Sequence, residues 1–258
     1  MVDVDSLKKT HDEISEILRD HSSLKKASEW EPWTRAEPFD AALVSERYRD
    51  YWKPGTVKMI LVAESHLYTD ADDLACKIDP SKLPISLPDC PSEFVRLVYC
   101  PGYGDSSLLA SNRTPAAGNA GTDDYWEILS RCADTWQGSP GDLRWKITTL
   151  QGLQKQGIWL LDASIHACCN PRFRGRPNNL AGRWPAYQSV LRTSWEYVSQ
   201  RVGDCVNTWC IGHNVKRALP DSGLDWERTI LQPGSARFGR GDEYRKGLDR
   251  LVAAARSI

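Results

Sequence analysis

VKMILVAESHLY, Val57 to Tyr68, decides the fold. Its first seven residues, Val57–Ala63, form a short apolar run with β-branched residues, the pattern of a strand buried on both faces. Directly after it, Glu64, Ser65 and His66 put a carboxylate, a hydroxyl and an imidazole on one turn. Three similar runs follow: Ile158–Ile165 (IWLLDASI), Val206–Gly212 (VNTWCIG) and Thr229–Leu231 (TIL), with a weaker fifth at Arg96–Cys100 (RLVYC).

Helical patterns separate the runs. Leu7, His11, Ile14 and Leu18 share one face of an N-terminal helix. Thr122 is a cap for a helix whose inner face carries Trp126, Leu129, Ala133 and Trp136. Leu143, Ile147 and Leu150 mark another, stopped by Gly157. Pro185 sits as a first helical residue before Tyr187, Leu191, Ser194 and Val198. A short helix spans Val215–Leu219, and Tyr244, Leu248, Leu251 and Ala255 make a C-terminal one. Strands alternating with helices predict an α/β fold: a three-layer α/β/α sandwich around a central, mostly parallel four-stranded sheet. The expectation is one domain over residues 1–258, with 1–50 as an N-terminal helical extension. Residues 101–121, rich in Gly, Ser, Ala and Asn, read as a long functional loop.

The 258 residues suffice for a sizeable core, and 41% hydrophobic with 26% charged residues is an ordinary globular composition. Lys+Arg of 33 against Asp+Glu of 34 gives a formal net charge of -1, so any nucleic-acid contact must come from a local patch. No apolar run of ~18 residues offers a membrane span. The start, MVDVDSLKKTHDEIS, lacks the apolar core of a signal peptide. The eight cysteines contain no C-x-x-C pair and fit neither a zinc ribbon nor an iron–sulfur site; reduced thiols in a cytoplasmic protein are expected.

In open α/β sheets ligands bind beyond the carboxyl ends of the strands. Glu64, Ser65 and His66 stand there after the first strand, where an acid and a His position water or stabilise a cation, or simply cap a solvated turn. Asp162 lies in the second strand; a carboxylate in an apolar strand must be paired or used. Gln232, Ser235 and Arg237 follow the fourth, in a Gly-rich turn suited to phosphate or to a plain loop. His213 reads as a structural cap. Between Ala163 and Trp195 there is no Asp or Glu but five Arg: Arg172, Arg174, Arg176, Arg183 and Arg192. On a neutral protein this one-signed segment reads as a site for phosphates.

The order of these pieces resembles the uracil-DNA glycosylase superfamily, over residues ~50–255. LVAESHLY stands where that family has a strand ending in G-Q-D-P-Y or G-E-A-P-G; GIWLLDAS stands for G-V-L-L-L-N, TWCIGHNVKRAL for L-L-W-G-x-H-A, and LQPGSARFG for the strand leading into H-P-S-P. The chain looks like a divergent branch of that family: Ser65 stands where the best-known branch has its water-positioning Asp, His66 where it has Pro, Asp162 where it has the base-reading Asn, and Gln232 where it has the His that steadies the leaving base. The resemblance implies DNA repair by hydrolysis of the N-glycosidic bond of a flipped uracil or other deaminated base, by a monomer without metal or cofactor. Glu64 or His66 would orient water or stabilise the sugar cation, with Ser65 beside them, and Gln232 would donate an N–H to a base carbonyl. Asp162 would bond the base edge, as an acceptor when ionised or also as a donor when protonated. Tyr99, or else Tyr103, would stack on the base. Arg172, Arg174, Arg176, Arg183, Ser235 and Arg237 would hold the DNA. Two rivals are a hydrolase of a small phosphorylated metabolite and a DNA binder of the same fold without the chemistry.

Overall fold

The computed structural model describes residues 2–21, 36–110, 115, 123–170, 180–203, 207–234 and 239–258. In chain order its helices are α1 (Val4–Asp20), α2 (Phe39–Tyr51), α3 (Ala71–Leu74), α4 (Asp123–Cys132), α5 (Leu143–Gln156), α6 (Trp184–Val202), α7 (His213–Ala218) and α8 (Gly241–Arg256). The strands are β1 (Met59–Ala63), before α3; β2 (Ile158–Asp162), after α5; β3 (Thr208–Ile211), after α6; and β4 (Thr229–Ile230), after α7. They form one parallel sheet in the order β2-β1-β3-β4. Helices α1, α2, α6 and α7 contact one another, and α4, α5 and α8 form a second group, giving the three-layer α/β/α arrangement.

Every residue of β1 and β2 is buried, as a parallel sheet covered on both faces requires. The register pairs Met59 with Ile158 and Ala63 with Asp162, so the two strands end level and deliver their following residues to one place. The ladder continues one step further: the Ser164 N–H donates to the Glu64 carbonyl at 3.0 Å. Gly157 ends α5 at φ +90°, and a Cβ there would stand 2.8 Å from the Thr56 carbonyl oxygen. Only glycine turns the helix into β2 at this point.

The four principal runs are strands, somewhat shorter than the apolar segments. The fifth is not: Arg96–Cys100 is a turn in which the Cys100 N–H donates to the Leu97 carbonyl at 2.9 Å. Arg96 is buried and forked onto Asp73 at 3.1 and 3.2 Å, an ion pair that a sheet position would not supply. Leu7, Ile14 and Leu18 of α1 and Val44 and Tyr48 of α2 belong to the same hydrophobic core as the sheet. Thr122 lies outside the described residues, as does most of 111–121. Cys205 does too; the other seven cysteines are free thiols. Among the described residues no helix is long and apolar enough to cross a membrane.

Candidate functional site

A cavity of about 200 Å³ opens at the carboxyl ends of β1 and β2. Its wall includes Glu64, Ser65 and His66 from the turn after β1, Asp162 from the end of β2, Gln232 from just beyond β4, and Tyr125 from α4. The chain leaves β1 for β2 on one side and returns to β3 on the other, the place where open α/β sheets gather ligands. Glu64, His66 and Asp162 are all buried.

The Gln232 side chain reaches back across the sheet end, and its Nε2 donates to Glu64 Oε2 at 2.8 Å. It lies against Gly212, whose φ of +119° follows from the sharp exit of β3 into α7. The Tyr187 hydroxyl is buried beside the Glu64 carboxylate as a second donor. Burial pushes the Glu64 carboxyl above its ordinary range and the nearby charge of Asp162 adds to this, while the Gln232 and Tyr187 donors oppose it. Ser65 Oγ accepts the Cys168 N–H at 2.9 Å, tying the β1 exit to the β2 exit.

Behind Glu64 runs a chain of alternating charges. Glu37 Oε1 accepts from His66 Nε2 at 2.7 Å; His66 Nδ1 faces Asp162 Oδ2 at 3.8 Å; Asp162 Oδ2 is ion-paired with Arg49, and Arg49 with Glu46. Arg201 closes the series on Glu46 and Asp50. For His66, burial alone would depress the pKa, but the Glu37 and Asp162 carboxylates lift it to about 9, so the ring is an imidazolium at neutral pH. For Asp162, burial works upward and is overcome by Arg49 and His66, which hold the carboxyl below its ordinary range. Glu37 is likewise held down by His66 against its own burial. It also accepts the Ala167 N–H at 3.0 Å, and its backbone N–H donates to His166 Nε2 at 3.0 Å. Burial drops His166 to about 4, which leaves it neutral.

Of the residues singled out in the sequence, Glu64, Ser65, His66, Asp162 and Gln232 therefore meet around one cavity. Tyr99 and Tyr103 are not among its lining residues. The Tyr99 hydroxyl accepts the Leu160 N–H at 2.7 Å behind β2, and the Tyr103 ring packs edge-on against Phe94 with centroids 6.5 Å apart. The aromatic in the wall is Tyr125. Arg183 is half-buried, immediately before α6, and does not line the cavity. Arg172, Arg174, Arg176, Ser235 and Arg237 lie outside the described residues. His213 opens α7 with its ring edge-on to Trp226.

Sequence reading missed Glu37, Arg49, Arg96 and Tyr125. Glu46 and Arg49 stand three apart in one helix, a spacing at which opposite charges pair, and both interrupt an apolar face. That interruption was the available signal. Among the described residues no group of three or more His, Cys, Asp or Glu side chains is arranged to hold a metal ion. Compared with protein-family models, curated proteins and solved structures, the chain matches none.

Proposed function

We propose that the chain is a uracil-DNA glycosylase-like hydrolase, which removes uracil or another deaminated base from DNA after flipping it into this cavity. One observation carries the reading: Glu64, Asp162 and Gln232, from three separate strand ends, line a single pocket with an aromatic wall. The cavity is small for a metabolite site and suits a planar group. Two carboxylates face it, while its cations are committed, Arg96 to Asp73 and His66 to Glu37. Such a lining favours a neutral base and a developing sugar cation over a phosphate, which argues against the phosphorylated-metabolite reading.

In the proposed reaction the base stacks on Tyr125, and Asp162 accepts its imino N–H. The C1′–N bond breaks with its electron pair passing to the base. Water adds to C1′, and its proton passes to Glu64. His66, already an imidazolium with Glu37 on one nitrogen and Asp162 facing the other, contributes fixed charge rather than a proton-accepting nitrogen. Gln232 holds Glu64 in place. The arginine-rich segment around Arg172–Arg176 would grip the DNA strand. The enzyme would act in the cytoplasm as a monomer, without metal or cofactor.

Incubation with a uracil-containing oligonucleotide without added metal should yield abasic sites, and Glu64→Ala and Asp162→Ala should each slow this at least tenfold. No product from uracil, hypoxanthine or xanthine substrates defeats the assignment. Full activity in both variants means that the chemistry lies elsewhere.

A further inference from the structure

Asp162 has two carboxylate oxygens with different surroundings. Oδ2 is ion-paired with Arg49 and faces His66, whereas Oδ1 accepts no hydrogen bond from any described residue although Asp162 lines the cavity. Arg49 comes from α2, a helix remote in sequence from the strand ends, and is among the largest fully buried side chains. Its backbone is fixed as well: the Arg49 carbonyl accepts the Trp159 indole N–H at 2.9 Å, which pins α2 to β2 three residues before Asp162. On the other flank Glu37 binds His66, the Ala167 N–H and, through its own N–H, His166. The β1 exit, the β2 exit and the segment leading into α2 therefore share one clamp.

We propose that Arg49 and Glu37 are positioning residues, which lock Asp162 and His66 in one arrangement and leave Asp162 Oδ1 as a fixed, acceptor-only contact for an N–H on the ligand. The proposal rests on reading the cavity as a base pocket, and it names the chemistry the pocket selects: a heterocycle with a ring N–H, as in uracil, hypoxanthine and xanthine, and not one alkylated at that nitrogen. A carboxylate that Arg49 holds in its ionised form offers no donor to a carbonyl. Removing the Arg49 charge leaves Asp162 facing His66 alone, with Glu64, Tyr99 and Tyr125 close enough to disfavour or leave unaided its ionisation. The pocket would then gain a proton in a range where the native site has none.

The test has two readouts on the whole chain. Carbon-13 NMR titration follows the Asp162 carboxyl in the native protein, Arg49→Gln and Arg49→Lys. The midpoint should rise by at least one pH unit in Arg49→Gln and by less in Arg49→Lys, because the ammonium restores the charge without the fork. Equilibrium binding then compares uracil with 3-methyluracil. The methyl group should weaken binding at least tenfold, and uracil binding to Arg49→Gln should fall with pH along the carboxyl titration. An unchanged Asp162 midpoint in folded Arg49→Gln overturns the positioning role; if that variant does not fold, an unchanged midpoint in Arg49→Lys does so. Equal binding of the two pyrimidines, or none of either, overturns the ligand assignment. Absence of abasic product with the carboxyl result intact would instead refute the glycosylase reaction and leave the clamp standing.

Discussion

Replacing Gly212 with alanine should damage the site through Gln232, and the size of the effect follows from the geometry. Gly212 stands at φ +119°, ψ 115°, a conformation that side-chain-bearing residues rarely adopt and that costs about 1–3 kcal/mol when forced. The added Cβ would meet Gln232 Cγ at 3.1 Å and Nε2 at 3.2 Å, closer than ordinary contact. Gln232 must then give way by a few tenths of an ångström, and its bond to the Glu64 carboxylate is expected to break. A hydrogen bond to a charged group is worth about 1.5–3 kcal/mol. Gly212→Ala should therefore lose about 2.5–6 kcal/mol, and Gln232→Ala, which lacks the backbone strain, about 1.5–3 kcal/mol. In the double variant the bond is lost once and the clash is absent. The double loss should fall short of the sum of the single losses by about 1.5–3 kcal/mol. Urea unfolding followed by circular dichroism at pH 7 measures all three. Additivity within about 0.5 kcal/mol would refute the claim that Gly212 acts by leaving room for Gln232.

Three further outcomes are expected. His66 has a folded-state pKa of about 9 against 6.5 for the free side chain, so its contribution is fully present below pH 6.5 and is lost as pH rises through 9. Stability should thus decline by about 3 kcal/mol across that window, in a titration that His66→Gln flattens. Asp73→Ala strands the buried Arg96 charge and should cost about 3–5 kcal/mol in thermal or urea unfolding; a loss under about 1 kcal/mol would mean that the pair is solvated. Tyr187→Phe removes the buried hydroxyl that helps hold the Glu64 carboxylate ionised; it should raise the Glu64 midpoint and cost about 1–3 kcal/mol in urea unfolding, whereas an unchanged midpoint would show that the hydroxyl does not bond the carboxylate.

Much of the fold was legible because its signals are local. β1 and β2 are uninterrupted apolar runs, Gly157 marks a left-handed turn, and α1 repeats Leu7, His11, Ile14 and Leu18 along one face. The strand-end rule then selected Glu64, Asp162 and Gln232 without any long-range information. What stayed hidden depends on pairing across the chain. Arg49 meets Asp162 and Glu37 meets His66 only after folding, and each looks like an ordinary surface charge until its partner is known. The resemblance implies a base-stacking role for Tyr99 only if RLVYC is a strand; the segment is instead a turn around the buried Arg96–Asp73 pair, and the tyrosine lies behind the sheet.

That placement of Tyr99 has a use of its own. β2 is an outermost strand, and the backbone of an outermost strand is a template onto which a second chain can add. The phenol occupies the amide of Leu160 midway along it, and the indole of Trp52 anchors the phenol's own backbone. The outer amide of this buried strand is thus satisfied from within the chain, and a phenylalanine at position 99 would keep the packing of the ring while leaving that N–H without a partner.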